Sequence, residues 1–226
     1  RGVIENGPWF DDIIEINDKT IGGAINLVSQ LRRLKPDLAV IFPNSFRSVL
    51  IARLGGVRQI YGYRRNGRSA LVTGGPQPLR NNDHITPQPM VEYYMEICRW
   101  LNFDTPAQLK PQLFYSDTTG QQAARLIERY GITPQDLVIG MNPGARFGSS
   151  KCWLPEHFAR LAEMIARQWD CKIMLFIGPG EQDLGRQIVK LSRAHIINTG
   201  PDRVNLELLK PLIQRCRLLI TNDTGP

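Results

Sequence analysis

Between residues 136 and 221, short apolar runs take turns with helix-periodic stretches, and this alternation restricts the fold more than any other feature of the chain. Asp136 to Met141, Lys172 to Ile177, Ile196-Ile197 and Leu218 to Thr221 read as buried strands. Pro155 to Gln168 reads as a helix, with proline at a first position where its missing N–H costs nothing. Phe158, Leu161, Ala162 and Ile165 form its apolar stripe. Glu181 to Ser192 and Asn205 to Cys216 read as two more helices, with Asn205 as an N-cap. The order β-α-β-α-β-α-β predicts a parallel sheet with right-handed crossovers. All strands then point one way, and the loops leaving them gather at the edge where open α/β sheets bind ligands. Those loops are Asn142-Pro143-Gly144, Gly178-Pro179-Gly180-Glu181 and Asn222-Asp223-Thr224-Gly225. Gly and Pro punctuate any βα turn, but three polar loops carrying carboxylates on one edge point to a ligand.

The first half is also α/β, with a weaker pattern. Ala24, Leu27, Val28, Leu31 and Leu34 recur at helical spacing. Leu38 to Phe42 reads as a strand ending at Pro43-Asn44-Ser45, and Phe46 to Leu54 as a helix stopped by Gly55-Gly56. Gln59 to Tyr63 reads as a short strand, Gly74 to Pro89 as a surface loop, and Val91 to Leu101 as a helix. Pro106 to Pro111 has the composition of a linker, and Thr118 to Tyr130 reads as a connecting helix. The 226 residues suffice for one or two domains with their own cores. The chain stops after Gly225-Pro226, where a following helix would turn its N-terminus toward an anion. It is therefore expected to be a fragment cut through its own site.

A net charge of +7 favours anionic partners. Arg64, Arg65 and Arg68 cluster, with Arg47 and Arg58 near them in sequence; a solvated basic loop and an anion-binding surface both fit. Nucleic acid is disfavoured, because no aromatic-interleaved basic motif or reader fold is present. Cys98, Cys152, Cys171 and Cys216 are scattered with no C-x-x-C, against a zinc site or a disulfide framework and in keeping with a reducing cytosol. His84, His157 and His195 are dispersed and no D-x-D triplet occurs, so no metal is expected. The longest apolar runs are far too short to span a bilayer. Gly178-Pro179-Gly180 lacks the third glycine of a dinucleotide fingerprint, and no Ser or Thr follows Lys151 as a P-loop requires.

The segment from Asn142 to Pro155 joins a strand to a helix and carries Gly144, Gly148, Ser149, Ser150 and Lys151. Glycines admit close backbone approach, the serines are short donors, and the lysine is a point charge. Together with a helix N-terminus these suit a diphosphate. Lys151 also reads as a plain surface lysine, and Trp153 as a core anchor.

Asn-Pro-Gly-Ala-x-Phe-Gly-x-x-Lys-x-Trp-x-Pro-x-x-His-Phe-Ala, from Asn142 to Ala159, resembles the bacterial lipopolysaccharide heptosyltransferases of glycosyltransferase family nine. Asn222-Asp223-Thr224-Gly225-Pro226 is similar to that family's second signature, which continues into Met-His. Pro43-Asn44-Ser45-Phe46-Arg47-Ser48 and Gly62-Tyr63-Arg64 resemble elements of its first domain. The resemblance implies a GT-B fold of two Rossmann-like domains with parallel sheets. Residues 1–115 would be the acceptor-side domain and linker, and residues 116–226 the nucleotide-sugar domain. It implies inverting, metal-independent transfer of heptose from ADP-heptose to the lipopolysaccharide inner core, with no cofactor. It further implies a cytoplasmic protein, peripheral on the inner membrane's cytoplasmic face, with no protein partner expected.

On the same resemblance, Lys151 contacts the donor phosphates and stabilises departing ADP, with Ser149 and Ser150 beside it. Glu181 accepts from ribose hydroxyls, and Val204 lies where the family's loop approaches adenine. Asp223, Thr224 and Gly225 contact heptose and diphosphate. Asn44, Arg47, Arg64 and Arg68 are acceptor-side candidates. Cys152 stands where the family more often has arginine. The family's N-terminal Gly-Asp segment, with its general base, and the histidine after Thr-Gly-Pro are not in this sequence, so these residues alone are expected to be inactive. A GT-B transferase with another donor, such as a UDP-sugar, and a non-catalytic nucleotide-binding module stay open beside this reading.

Overall fold

Contacts divide the chain into two units, Ile14–Pro111 and Gln112–Pro226, the second including Arg1–Ile13. The structure, a computed structural model, describes residues 2–16, 20–82, 84–107, 110–145 and 151–222.

The C-terminal unit contains α4 (Asp117–Arg129), β5 (Leu137–Asn142), α5 (Pro155–Gln168), β6 (Cys171–Leu175), α6 (Gln182–Leu191), β7 (Ile196–Asn198), α7 (Leu206–Arg215) and β8 (Leu218–Thr221). Its sheet runs in the order β7-β6-β5-β8, and every pairing is parallel. Strand side chains alternate between two helical layers, as a pleated strand requires. Ile139, Met141, Ile173, Leu175 and Ile177 pack with Phe158, Ala162 and Ile188 of α5 and α6. Val138, Met174, Phe176 and Ile197 pack with Ala123, Leu126 and Leu212 of α4 and α7. Both faces are covered, so these strands read as near-continuous apolar runs. Each side chain fully buried this way contributes about 1.5–3 kcal/mol. Pro155 opens α5, and the Asn205 side chain caps α7 by accepting from Leu208 N–H at 2.8 Å.

The strand order reverses across β5. From β5 the chain steps through β6 to β7, then returns to place β8 on the other side of β5. The β5 and β8 ends stand level, with Asn142 opposite Thr221 in the register. Such a reversal leaves a crevice at the carboxyl ends of the two strands.

The sequence reading assigns residues 1–13 to the first domain, whereas here they group with the C-terminal unit. The cause is the nearly buried ammonium of Lys210, which needs oxygen partners. It donates to Glu207 Oε2 at 2.7 Å, Phe114 O at 2.6 Å and Glu5 O at 3.4 Å. Asn6 Nδ2 donates to Glu207 Oε1 at 2.7 Å, and the Trp9 ring meets Phe114 edge-on.

The N-terminal unit holds α1 (Ile21–Leu34), β1 (Leu38–Val40), α2 (Phe46–Leu54), β2 (Gln59–Tyr61), β3 (Arg80–Asn81), β4 (His84–Ile85) and α3 (Met90–Trp100). β1 and β2 pair in parallel over Val49, Ala52, Val57, Ile60 and Val72. The expected surface loop from Gly74 to Pro89 is partly internal. Gly74, Gly75 and Pro76 are buried beside the end of β2, and β3 and β4 form a two-residue antiparallel pair. Arg64 N–H donates to Pro76 O at 2.9 Å, and Gly62 N–H to Gly74 O at 3.3 Å. Gly75 has φ +145°, and a Cβ there would lie 2.0 Å from Gly62 O. The glycine richness of this stretch therefore reflects close backbone contact as well as turning.

Candidate functional site

The carboxyl edge of the C-terminal sheet borders a cavity of about 860 Å³. Asn142, Gly144 and Ala145 reach it from β5, Phe176 to Pro179 and Glu181 from β6, Thr199 from β7, and Val204 to Glu207 with Leu209 from the start of α7. Gly2 and Glu5 complete the lining. Glu181 and Val204, singled out from the sequence, therefore face one space.

Backbone bonds set this edge. Thr199 is fully buried, and its Oγ1 donates to Leu175 O at 3.1 Å while accepting from Ile177 N–H at 3.3 Å. That pins the exit of β6 to the exit of β7. Glu181 folds back so that Oε2 accepts from Gly178 N–H at 3.0 Å. Its carboxylate lies against Gly144, where a Cβ would stand 2.3 Å from both carboxylate oxygens. Glycine at 144 thus lets a carboxylate from β6 reach the mouth of β5.

On the other side of β5, Asn222 joins the two motif segments. Its Nδ2 donates to Pro143 O at 2.7 Å, and its Oδ1 accepts from Trp153 N–H at 3.2 Å. Asn142 Nδ2 donates to Thr221 Oγ1 at 3.2 Å one step below. Lys151, two residues before Trp153, is exposed and is not among the described residues that line the cavity. Ser149, Ser150, Asp223, Thr224 and Gly225 lie outside the described residues. Trp153 departs from the expected core anchor: it is 45% exposed. Phe158 fills the core position, and Trp153 covers it edge-on at 5.3 Å.

In the N-terminal unit the expected basic surface divides. Arg47 and Arg64 are exposed. Arg68 is 0% exposed, which corrects its reading as an acceptor-facing cation. Its Nε donates to Tyr63 O at 2.8 Å, Nη1 to Pro43 O and to Ser45 O at 3.5 Å, and Nη2 to Asn44 Oδ1 at 3.2 Å. Burial lowers its pKa from the ordinary arginine value. Asn44 is engaged as well, since Oδ1 also accepts from Tyr93 OH at 3.1 Å. Tyr63 stacks on Tyr93 at 3.8 Å and donates to Tyr93 O at 2.6 Å. Burial, then the neighbouring Tyr93, pushes the Tyr63 hydroxyl up to about 12. Arg68 and Asn44 therefore shape the loops that present Arg47 and Arg64.

Sequence reasoning did not single out Thr199 or Asn222 as organisers of the edge. Asn222's side-chain partners lie 79 and 69 positions away, so no local spacing reveals them.

Residues 24–226 match the family described as glycosyltransferase family 9 (heptosyltransferase). Lipooligosaccharide heptosyltransferase 2 of Haemophilus ducreyi is 28% identical over 197 residues, covering 84% of this chain and 55% of that protein. The crystal structure of a family 9 glycosyl transferase from Veillonella parvula superposes with a TM-score of 0.84 at 23% identity, over 100% of this chain and 64% of that one. The structure of the Escherichia coli ADP-heptose LPS heptosyltransferase II gives a TM-score of 0.67 at 24% identity, over 91% of this chain and 62% of that one. The chain thus spans a little over half the length of its curated relative. The α/β fold of GT-B type expected from the sequence is the fold these structures share with it.

Proposed function

This chain belongs to glycosyltransferase family 9, the heptosyltransferases, and on that premise we propose that the protein carrying it moves heptose from ADP-heptose to the lipopolysaccharide inner core, with inversion and without a metal. The observation that carries the donor side is that Glu181 and Val204 share one cavity at the sheet's carboxyl edge. Its volume of about 860 Å³ is in the range of small-molecule sites. The described polar lining consists of carboxylates, amides and a hydroxyl: Glu5, Glu181, Glu207, Asn142, Asn205 and Thr199. Such a lining suits the nucleoside end better than the phosphates. Ribose hydroxyls donate to Glu181, and the base lies over Ile177, Val204 and Leu209.

The diphosphate is assigned to the crevice between β5 and β8, on the side of Lys151. The acceptor hydroxyl attacks the anomeric carbon from the face opposite ADP as the carbon–oxygen bond to the diphosphate breaks. Its proton passes to a base, which the family resemblance assigns to the N-terminal Gly-Asp segment. Charge growing on ADP is met by Lys151, with Ser149 and Ser150 beside it, while Asp223, Thr224 and Gly225 contact heptose and diphosphate. Arg47 and Arg64 face an anionic acceptor. The reaction is placed on the cytoplasmic face of the inner membrane; among the described residues no helix is long and apolar enough to cross one.

In a thermal-shift panel on these 226 residues, ADP should raise the melting temperature more than UDP or GDP at equal concentration. In the full-length protein, Lys151→Ala should lower kcat with ADP-heptose and a defined core acceptor at least tenfold, about 1.4 kcal/mol. A larger shift with UDP overturns the donor, and an unchanged kcat removes Lys151 from the leaving-group role.

A further inference from the structure

One side-chain amide bridges the exit of β5 at Pro143 and the backbone at Trp153, two residues after Lys151. Asn222 Nδ2 donates to Pro143 O at 2.7 Å, and Asn222 Oδ1 accepts from Trp153 N–H at 3.2 Å. Its own backbone N–H reaches Asn142 O at 3.4 Å, extending the β5–β8 ladder by one rung. Only an amide supplies a donor and an acceptor from one planar group of this size. Alanine supplies neither, and an ionised aspartate would turn an oxygen toward the Pro143 carbonyl. The same residue immediately precedes Asp223. A single group therefore joins the segment assigned to the phosphates to the segment assigned to the sugar, at the point where the strand order reverses.

We propose that Asn222 is a positioning residue for the transfer reaction, acting through Lys151 by bridging Pro143 and Trp153. Holding Trp153, two residues after Lys151, against Pro143 leaves less ordering to be done as charge develops on the leaving group. This inference rests on the transferase reading above. In this assignment Asn222 acts by fixing the frame from which Lys151 acts, not by contact with the reacting atoms.

Two measurements on the full-length protein separate this inference from that reading. The first is amide hydrogen exchange, which needs no activity. In Asn222→Ala, exchange at Trp153 N–H should rise at least tenfold, with the core of α5 unchanged. Equal protection in wild type and variant overturns the clamp. The second is a double-mutant cycle with ADP-heptose and a core acceptor. Asn222→Ala alone should lower kcat about tenfold and leave acceptor KM unchanged. In a Lys151→Ala background the same change should cost less than threefold. Fully multiplicative losses overturn action through Lys151, and so does a loss confined to acceptor KM. Asn222→Asp, which keeps the bond from Trp153, should show a smaller exchange increase than alanine at that amide; an equal or larger one overturns the two-footed clamp. If wild type transfers no heptose, the functional reading fails, and the exchange measurement still decides the clamp.

Discussion

The two units present loops at the carboxyl ends of parallel strands, but they fix those loops by different means. In the C-terminal unit the four-stranded ladder is covered on both faces, and the register alone brings Asn142 beside Thr221. Side-chain bonds from Thr199, Glu181 and Asn222 then finish the edge. Among the described residues, the N-terminal unit has one pair of three-residue parallel strands. It uses a buried guanidinium where the other uses a ladder, and Arg68 gathers Pro43, Asn44, Ser45 and Tyr63 around one cation. A short sheet can still organise an edge if a side chain supplies the missing hydrogen bonds. The guanidinium suits this task because it offers five donors in a rigid plane.

Removing that guanidinium tests the comparison most severely. Arg68→Ala leaves Pro43 O and Tyr63 O without their buried donor and opens a void among them. The N-terminal unit should lose roughly 3 kcal/mol, in line with the cost of breaking a buried hydrogen-bond network. Hydrogen exchange, read separately in each unit across a denaturant series, checks this. Protection in α2 and β2 should fall, and protection in β5 and β6 should hold. A uniform loss over both units would mean that the two edges are not independently organised.

This difference also explains which parts of the molecule were legible in the sequence. Helix starts at Pro155 and Asn205 and the strand runs around Val138 and Ile173 depend on residues a few positions apart, so periodicity and capping rules found them. Glu181 and Val204 were found through a family resemblance, and the sheet then brought them to one cavity. Arg68 was misread because charge in a sequence looks like surface. Its acceptors at Pro43, Asn44 and Ser45 lie 23 to 25 positions away and exist only once the loop has folded. Trp153 was misread because a large aromatic beside a helix start looks like core, while Phe158 already occupies that place. The burial of Gly74 and Gly75 was hidden by a composition that signals turns equally well.

Alkaline titration sharpens the contrast with a smaller effect. The Tyr63 pKa is held up to about 12, above its ordinary 10.0, mainly by burial. The folded unit therefore keeps this proton at pH values where the unfolded chain has lost it. Its contribution to stability is complete below about pH 10 and fades as pH rises through 12. In the C-terminal unit, burial pushes the Cys216 thiol from 9.0 up to about 11, so that unit should begin to weaken near pH 9. Unit-resolved unfolding between pH 8 and pH 11 should show the C-terminal unit responding first, and Tyr63→Phe should flatten only the N-terminal slope. The reverse order would show that buried Tyr63 does not set the alkaline behaviour of its unit.

The smallest expected effect comes from the helix caps, which the two units share. Asn205 caps α7 at Leu208 N–H, 2.8 Å away, and Ser45 caps α2 at Ser48 N–H, 3.2 Å away. Each helix begins near a carboxyl-edge loop, and each cap satisfies one of the free donors of a first turn. Asn205→Ala and Ser45→Ala should each cost about 1 kcal/mol, measured as the shift in denaturant midpoint of the affected unit. The comparison turns on Ser45, because its carbonyl also accepts from Arg68. Alanine keeps that carbonyl, so the cap and the hydroxyl's bond to Ser48 Oγ are lost while the guanidinium network stays closed. If Ser45→Ala instead destabilises its unit as much as Arg68→Ala does, the hydroxyl rather than the guanidinium organises the N-terminal edge, and the proposed division between ladder and buried cation fails.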